Sequence, residues 1–464
     1  MTDPSRSFGL SEAARSRLVE RLKSGIADER TEPARTPAPT PPPAPLNDLA
    51  ESDFFKQMQI IRSVAETLDI ANPFFRAHEG IAGPELVIEG RSYLNFSSYN
   101  YLGFNGHRRV IAAAQEAIAR YGTSCSASRL VAGEIPLHRE LERKLAALHG
   151  TEDCVAFVSG HATNVTVIGT MLRKGDLVLY DAFSHNSVQQ GAQLSGARRI
   201  GFPHNDVAVA EQLLAAQRAQ HRRAMIVIEG HYSMDGDIPD LPAFSELARR
   251  YGAWLMVDEA HSIGVLGKHG RGIAEHCNVG ADAADLWMGT LSKTLAGCGG
   301  YIACRREIAE YLRYSAPGFV YSVGMPPPMA AAAIASLDLL AEEPERIARL
   351  HANTGQFIAA AKAAGLDTGL SQGYAIVPII VGSSIAAGRL SAALFEQGIN
   401  VQPILYPAVP ERAARLRFFL TAAHSREHIK HTVATILEQK KRTDGSSVDL
   451  AQLVTRLTRS TSEH

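Results

Sequence analysis

No charge of either sign is in excess: 47 lysines and arginines stand against 48 aspartates and glutamates, a formal net charge of -1 over 464 residues. That balance offers no basic surface for nucleic acid or for an anionic membrane. Cysteine is sparse, and the five present, Cys125, Cys154, Cys277, Cys298 and Cys304, form no metal-type pairs. Their odd number and scatter speak against a disulfide framework and fit a reducing cytoplasm. Cys298 and Cys304 read as small packing residues. No apolar run is long enough to span a bilayer, and the polar N-terminus lacks the apolar core of a signal peptide. No internal repeat is apparent. The chain reads as a cytoplasmic protein that buries a large core in two folded domains.

Residues 9 to 24 have the spacing of a short amphipathic helix, with Ser11 as N-cap and Leu18, Val19 and Leu22 as a thin apolar stripe. Thr31 to Pro45 is rich in proline, alanine and threonine and reads as a stiff, extended linker. A helix on such a tether suits a docking element, and composition alone equally allows a disordered leader. Residues 52 to 68 read as a helix stopped by Asn72-Pro73, and Leu86 to Phe96 as a hairpin turning at Glu89 to Ser92. Val110 to Tyr121 is helical in spacing, and Gly122 ends it. Strands then alternate with helices: Cys154 to Val158, Leu177 to Tyr180, Met225 to Glu229, Trp254 to Asp258 and Leu286 to Met288. The alternation predicts an α/β fold with a mostly parallel sheet covered on both faces. After Pro326 to Pro328, an alanine-rich helix starts at Met329. Ile376 to Val381, Val401 to Leu405 and Leu416 to Leu420 read as strands of a smaller α/β domain. The expected organisation is a leader and linker over 1–50, an arm over 51–103, a large domain over 104–328, a small domain over 329–439 and a polar tail over 440–464. That tail carries one short amphipathic patch at Val448 to Leu457.

One stretch organises the rest: Asp285-Leu-Trp-Met-Gly-Thr-Leu-Ser-Lys293-Thr-Leu-Ala-Gly-Cys-Gly-Gly-Tyr301. An apolar strand breaks into small and hydroxyl residues around a single lysine, and a glycine-rich turn follows. A lysine ending a buried strand is costly unless its charge is solvated, paired or removed by chemistry, for instance by capturing an aldehyde cofactor. Lysine alone is equally a surface residue of a polar loop. Upstream, however, Trp254-Leu-Met-Val-Asp258-Glu-Ala-His261 is another apolar strand that ends in an acid. A strand-end carboxylate lies where α/β sheets keep their ligands. Pyridoxal 5′-phosphate needs both parts, an amine for its aldehyde and an acid for its ring nitrogen.

Three further strand ends are candidates. Ser159-Gly160-His161 opens a helix through a small-residue turn, and free amides at a helix N-terminus seat phosphate. Thr290 and Ser292 could add hydroxyl donors to that phosphate. His185, after the strand ending at Tyr180, could stack on a planar cofactor and move protons. Ser233, in Glu229-Gly-His-Tyr-Ser-Met-Asp-Gly236, is a candidate partner for cofactor or substrate, with Met234 as packing.

In this order the motifs resemble the α-oxoamine synthases, fold-type I pyridoxal-phosphate enzymes that include 8-amino-7-oxononanoate synthase and serine palmitoyltransferase. The matching text is Phe96-Ser-Ser-Tyr-Asn-Tyr-Leu-Gly103, Ser159 to Asn164, Ser184 to Ser187, Glu229 to Gly236, Asp258 to Gly264, Gly289 to Lys293 and Leu416 to His424. The resemblance implies a large domain with a mostly parallel seven-stranded sheet and a smaller C-terminal α/β domain. It also implies a homodimer, with Tyr321 to Pro326 approaching the partner's cofactor. By the same resemblance Lys293 is the Schiff-base lysine and base, Asp258 meets the ring nitrogen and His261 the ring hydroxyl. His185 stacks on the ring and helps read the substrate carboxylate. Ser233 lies near the ring hydroxyl, Gly160 and His161 border the cofactor, and Thr290, with Ser292 second, holds the phosphate. Arg417 grips the amino-acid carboxylate, for which its planar fork is suited; Asn100 and Ser159 join it at the substrate end.

Tyr99-Asn100 departs from the Asn-Asp of many relatives and looks like serine palmitoyltransferase. Gly122 to Arg129 and Gln402 to Pro407 resemble synthase modules of polyketide assembly lines. The implied reaction is decarboxylative condensation of glycine, alanine or serine with an acyl thioester, carried on an acyl carrier protein or on CoA. An aminotransferase or amino-acid lyase on the same fold is the alternative, and a non-catalytic subunit of a synthase complex is a third reading.

Overall fold

A computed structural model describes residues 49–444. The helix expected at 9 to 24, the proline linker and the patch at Val448 to Leu457 lie outside the described residues. The chain divides into two compact units, 1–64 and 65–464. In the first, the described part is a short turn at Leu49–Glu51 and most of the helix Asp53–Thr67, none of whose residues is buried.

The second unit starts with a hairpin, β1 (Glu85–Ile88) and β2 (Arg91–Asn95), joined by Glu89 and Gly90. Both turn residues have positive φ, 50° and 73°, the geometry that a two-residue hairpin demands. Seven strands follow in chain order: β3 (Asp153–Phe157), β4 (Leu177–Asp181), β5 (Arg198–Phe202), β6 (Ala224–Glu229), β7 (Trp254–Asp258), β8 (Leu286–Thr290) and β9 (Gly300–Cys304). They form one sheet in the order β3-β9-β8-β7-β6-β4-β5. All pairings are parallel except the two that β9 makes. This is the seven-stranded, mostly parallel sheet expected.

The strands are apolar end to end because helices cover both faces. Alternate residues serve two different cores. Leu177, Leu179, Ile226, Ile228, Leu255 and Val257 pack on one side. Val178, Met225, Val227 and Met256 pack on the other. Buried apolar side chains on both faces hold the strands in register, so the strand ends make a firm platform.

Beyond the long helix Pro327–Glu342, β10 (Ile376–Gly382), β12 (Gln402–Ile404) and β13 (Ala414–Phe419) form an antiparallel sheet in the order β10-β13-β12. The strand expected at Val401 to Leu405 forms as β12, which pairs with β13. Just before Val401 a further short strand, β11 (Ile399–Asn400), pairs in parallel with β2.

Candidate active site

Five strand ends converge where the parallel sheet ends. β7 delivers Asp258, β6 delivers Glu229, and β8 ends at Thr290 three residues before Lys293. β4 leads to His185, and β3 leads through Ser159 into the helix Gly160–Met171. Around them lies a cavity of about 220 Å³, lined by Ser159, Gly160, His161, His185, Ser233, Asp258, His261, Thr290, Ser292 and Lys293. Ten of the twelve candidates therefore meet in one place. Lys293 and Ser292 also line a second chamber of about 450 Å³, with Tyr99, Asn100, Asn400 and Gln402.

Lys293 is half-buried, and no ion pair to it is formed among the described residues. Burial pulls its amine down to about 8, against an opposing pull from Asp258 and Glu229. A near-neutral amine is what capture of an aldehyde requires. The ring of Tyr99 stands 5.7 Å from Nζ.

Asp258 is 4% exposed and firmly held. Its Oδ1 accepts the Ala260 amide at 3.0 Å, and its Oδ2 accepts Asn164 Nδ2 at 2.8 Å. The Asn164 amide also donates to Ser187 Oγ at 3.0 Å, and that hydroxyl meets His185 Nδ1 at 2.7 Å. Asp258 and His185 are thus ends of one hydrogen-bonded chain. Burial holds the His185 imidazole below its ordinary pKa, although Asp258 pulls the other way. His261 is likewise held low by burial and then by Lys293, and its Nδ1 meets Tyr101 Oη at 2.7 Å.

The helix Gly160–Met171 is capped by Ser159, whose Oγ accepts the Ala162 amide at 3.4 Å. The Gly160 and His161 amides are left without intrahelical acceptors, as at any helix start. A side chain at Gly160 would place its Cβ 2.8 Å from Thr290 Oγ1. The Thr290 hydroxyl itself donates to the Gly299 carbonyl at 3.0 Å and receives the Ser292 amide at 3.3 Å.

Two candidates are placed differently. Arg417, on β13, is half-buried and does not line the cavity: its Nη1 donates to the Ser233 carbonyl at 3.0 Å and lies 3.6 Å from Met234 Sδ. Its Nε is buried without a partner, and its guanidinium stands 4.8 Å over Phe419. Met234 is therefore packing that also touches the arginine. Asn100 faces the larger chamber, but its amide is fully engaged, in its own loop and with the segment before β1. It donates to the Ala82 and Asn105 carbonyls and accepts the Asn105 amide. Cys304 is buried, as expected of a packing residue, whereas Cys298 is exposed, because the glycine-rich turn carries it off the end of the sheet.

Glu229, Asn164 and Tyr101 were not singled out by sequence reasoning, although each lies within a quoted motif. Glu229 gave a signal in hindsight: it ends an apolar strand, as Asp258 does.

The donor set fits pyridoxal phosphate. A buried carboxylate free of any cation can face a ring nitrogen, a depressed amine can face an aldehyde, and unpaired helix amides beside two hydroxyls can face a phosphate. No cluster of metal-ligating side chains exists among the described residues.

The aminotransferase class I and II family model matches residues 91–436. The 8-amino-7-oxononanoate synthase of Geobacter sulfurreducens is 43% identical over 364 residues, covering 78% of this chain and 92% of that protein. The 4-hydroxy-2,2'-bipyrrole-5-methanol synthase PigH of Serratia sp. is 40% identical over 354 residues, 76% of this chain and 54% of that protein. Among solved structures, the serine palmitoyltransferase of Sphingomonas wittichii matches with a TM-score of 0.81 at 30% identity, covering 86% of this chain and 99% of that one.

Proposed function

The chain belongs to the class I and II aminotransferase family, in its α-oxoamine synthase branch, and we propose that it condenses glycine, alanine or serine with an acyl thioester. Carbon dioxide and a free thiol are released, and an α-amino ketone is formed. The family's cofactor is pyridoxal 5′-phosphate. When bound, it supplies an aldehyde that holds the amino acid's amine and a ring that takes up the electrons left by the departing α-proton.

The observation that carries the reading is the enclosed Lys293 amine, depressed by its surroundings and placed at the wall between two chambers. Its depression to about 8 keeps a usable fraction neutral, so it can both react with an aldehyde and accept a proton. Asp258, fixed by Asn164 and the Ala260 amide, provides the negative charge that keeps a ring nitrogen protonated. His185, held neutral by burial, offers a flat, uncharged imidazole to the cavity. The amides of Gly160 and His161, with Thr290 and Ser292, suit the phosphate. Arg417, with Nε unpartnered, suits the amino-acid carboxylate. The 450 Å³ chamber gives the thioester a separate approach to Lys293.

The acyl group, in this reading, arrives on a carrier protein, with CoA as the second donor. Its support is the module-like text at Gly122 to Arg129 and Gln402 to Pro407. A homodimer is part of the same reading. No helix among the described residues is long and apolar enough to cross a membrane. The test is thiol release from a medium-to-long acyl thioester with each amino acid in turn, on CoA and on carrier protein. Release with one amino acid is expected. Keto-acid formation without thiol release would replace the synthase by an aminotransferase.

A further inference from the structure

Besides Asp258, three carboxyls are buried where strands of the sheet end, Asp181, Glu229 and Glu259, and Asp181 is paired with His204 Nδ1 at 2.9 Å. Glu259 turns away from the cavity, accepting the Ile273 amide at 3.0 Å. Glu229 lines the cavity, directly across the β6–β7 register from Asp258. The condensation gives Glu229 no task, yet burying a second acid beside the first is costly. Burial, and then the neighbouring Asp258 charge, push its carboxyl up to about 8.

What Glu229 touches is backbone. Its Oε1 accepts the His185 amide at 2.6 Å, and its carboxyl lies beside the Ser233 amide. His185 opens the helix Asn186–Ser195 and presents its ring to the cavity. Ser233 uses its carbonyl to receive Arg417 Nη1 at 3.0 Å. One side chain therefore ties together two loops that come from different strands, β4 and β6. One loop carries the ring-facing histidine, and the other anchors the arginine suited to the substrate carboxylate.

We infer that Glu229 is a positioning residue, which sets His185 directly and sets Arg417 through the Ser233 backbone. The inference rests on Arg417 as the amino-acid clamp but not on the thioester half of the reaction. Loss of Glu229 lets the Tyr232-Ser233 peptide turn, and the Ser233 backbone it leads into then carries its carbonyl, in the next peptide, off Arg417 Nη1. A purely structural acid would weaken the fold without coupling to the clamp.

The experiment is a double-mutant cycle on the cofactor-loaded protein. The readout is the amino-acid dissociation constant, taken from the change in cofactor absorbance. Glu229→Ala, which removes the acceptor, is expected to raise that constant about tenfold beside a native Arg417, and less than about twofold in an Arg417→Lys background. Equal effects in both backgrounds, or wild-type binding by Glu229→Ala, would overturn the inference. Glu229→Asp keeps the acid but withdraws it from both amides, and it replaces Glu229→Ala, with the same two outcomes, if that variant does not fold. Amino-acid binding by the wild type without thiol release would sink the synthase reading and leave this one standing.

Discussion

Asn164 Nδ2 donates to Asp258 Oδ2 at 2.8 Å, and both side chains are almost completely buried. An ionised acid under so little water is costly unless donors surround it, and here a side-chain amide and a backbone amide do so. Asn164 thus protects the charge proposed to face the ring nitrogen, and through Ser187 it relays that order to His185.

Asn164→Ala removes one charge-assisted hydrogen bond from Asp258. Such bonds contribute about 1.5–3 kcal/mol, so cofactor affinity should fall on the order of tenfold to a hundredfold. An absorbance titration of the cofactor-free protein measures it directly. Unchanged affinity would mean that Asp258 needs no support from Asn164.

The charge state of Lys293 makes a second prediction. Only the neutral amine attacks an aldehyde, so cofactor uptake should rise tenfold per pH unit and level off at about 8. A rate still climbing well above pH 9 would describe a solvated lysine. Stability has a definite sign as well. The folded amine titrates at about 8 and the unfolded one near the ordinary lysine value of 10.5, so between those values the unfolded chain binds more protons. Cofactor-free protein should therefore gain stability across that window, by up to about 3 kcal/mol relative to Lys293→Met. Urea midpoints of the two proteins at pH 7.5 and 10 test it.

Much of this was legible in the sequence, for reasons that individual residues show. Parallel strands buried on both faces are written as apolar runs, so β4, β6, β7 and β8 stand out, and residues just beyond their ends mark the site. β5 is less legible because Arg198-Arg-Ile-Gly-Phe202 lies at the sheet edge and is largely exposed. β9 grows out of the glycine-rich turn that follows Lys293. Partnership is harder to read than position. Nothing in the composition of Asn100 says that its amide closes its own loop, and nothing around Arg417 says that it rests on the Ser233 carbonyl. The Arg417 contact joins residues far apart in the chain, and the Asn100 contacts depend on how its loop folds back.

Lys293→Ala separates holding the cofactor from using it. Asp258, His185 and the helix amides remain, so cofactor should still bind without a covalent link. Borohydride should fix cofactor on the wild type and not on the variant. Thiol release should fall by at least about a hundredfold, the lower end of what a positioned acid–base group contributes. Normal turnover in this variant would remove Lys293 from the centre of the reaction.

Gly160→Ala tests the phosphate seat through shape alone. The backbone at Gly160 is ordinary helix, so alanine is not strained by its own dihedrals; the difficulty is the neighbour. An added Cβ would lie 2.8 Å from Thr290 Oγ1 and 3.1 Å from Thr290 Cβ, closer than atoms of a real side chain settle. Thr290 is buried and bonded to Gly299, so it can give way only by leaving that carbonyl. Overpacking of this kind costs about 1–3 kcal/mol, and thermal unfolding of the cofactor-free protein should register it. The loss should also be specific to phosphate, since the residues disturbed are those suited to it. Pyridoxal 5′-phosphate should bind more weakly, while pyridoxal, which lacks the phosphate, should bind as it does to the wild type. Adding Thr290→Ala removes the atom that collides and should restore part of the stability but not the phosphate preference. Equal weakening of both compounds would place the phosphate elsewhere in the cavity.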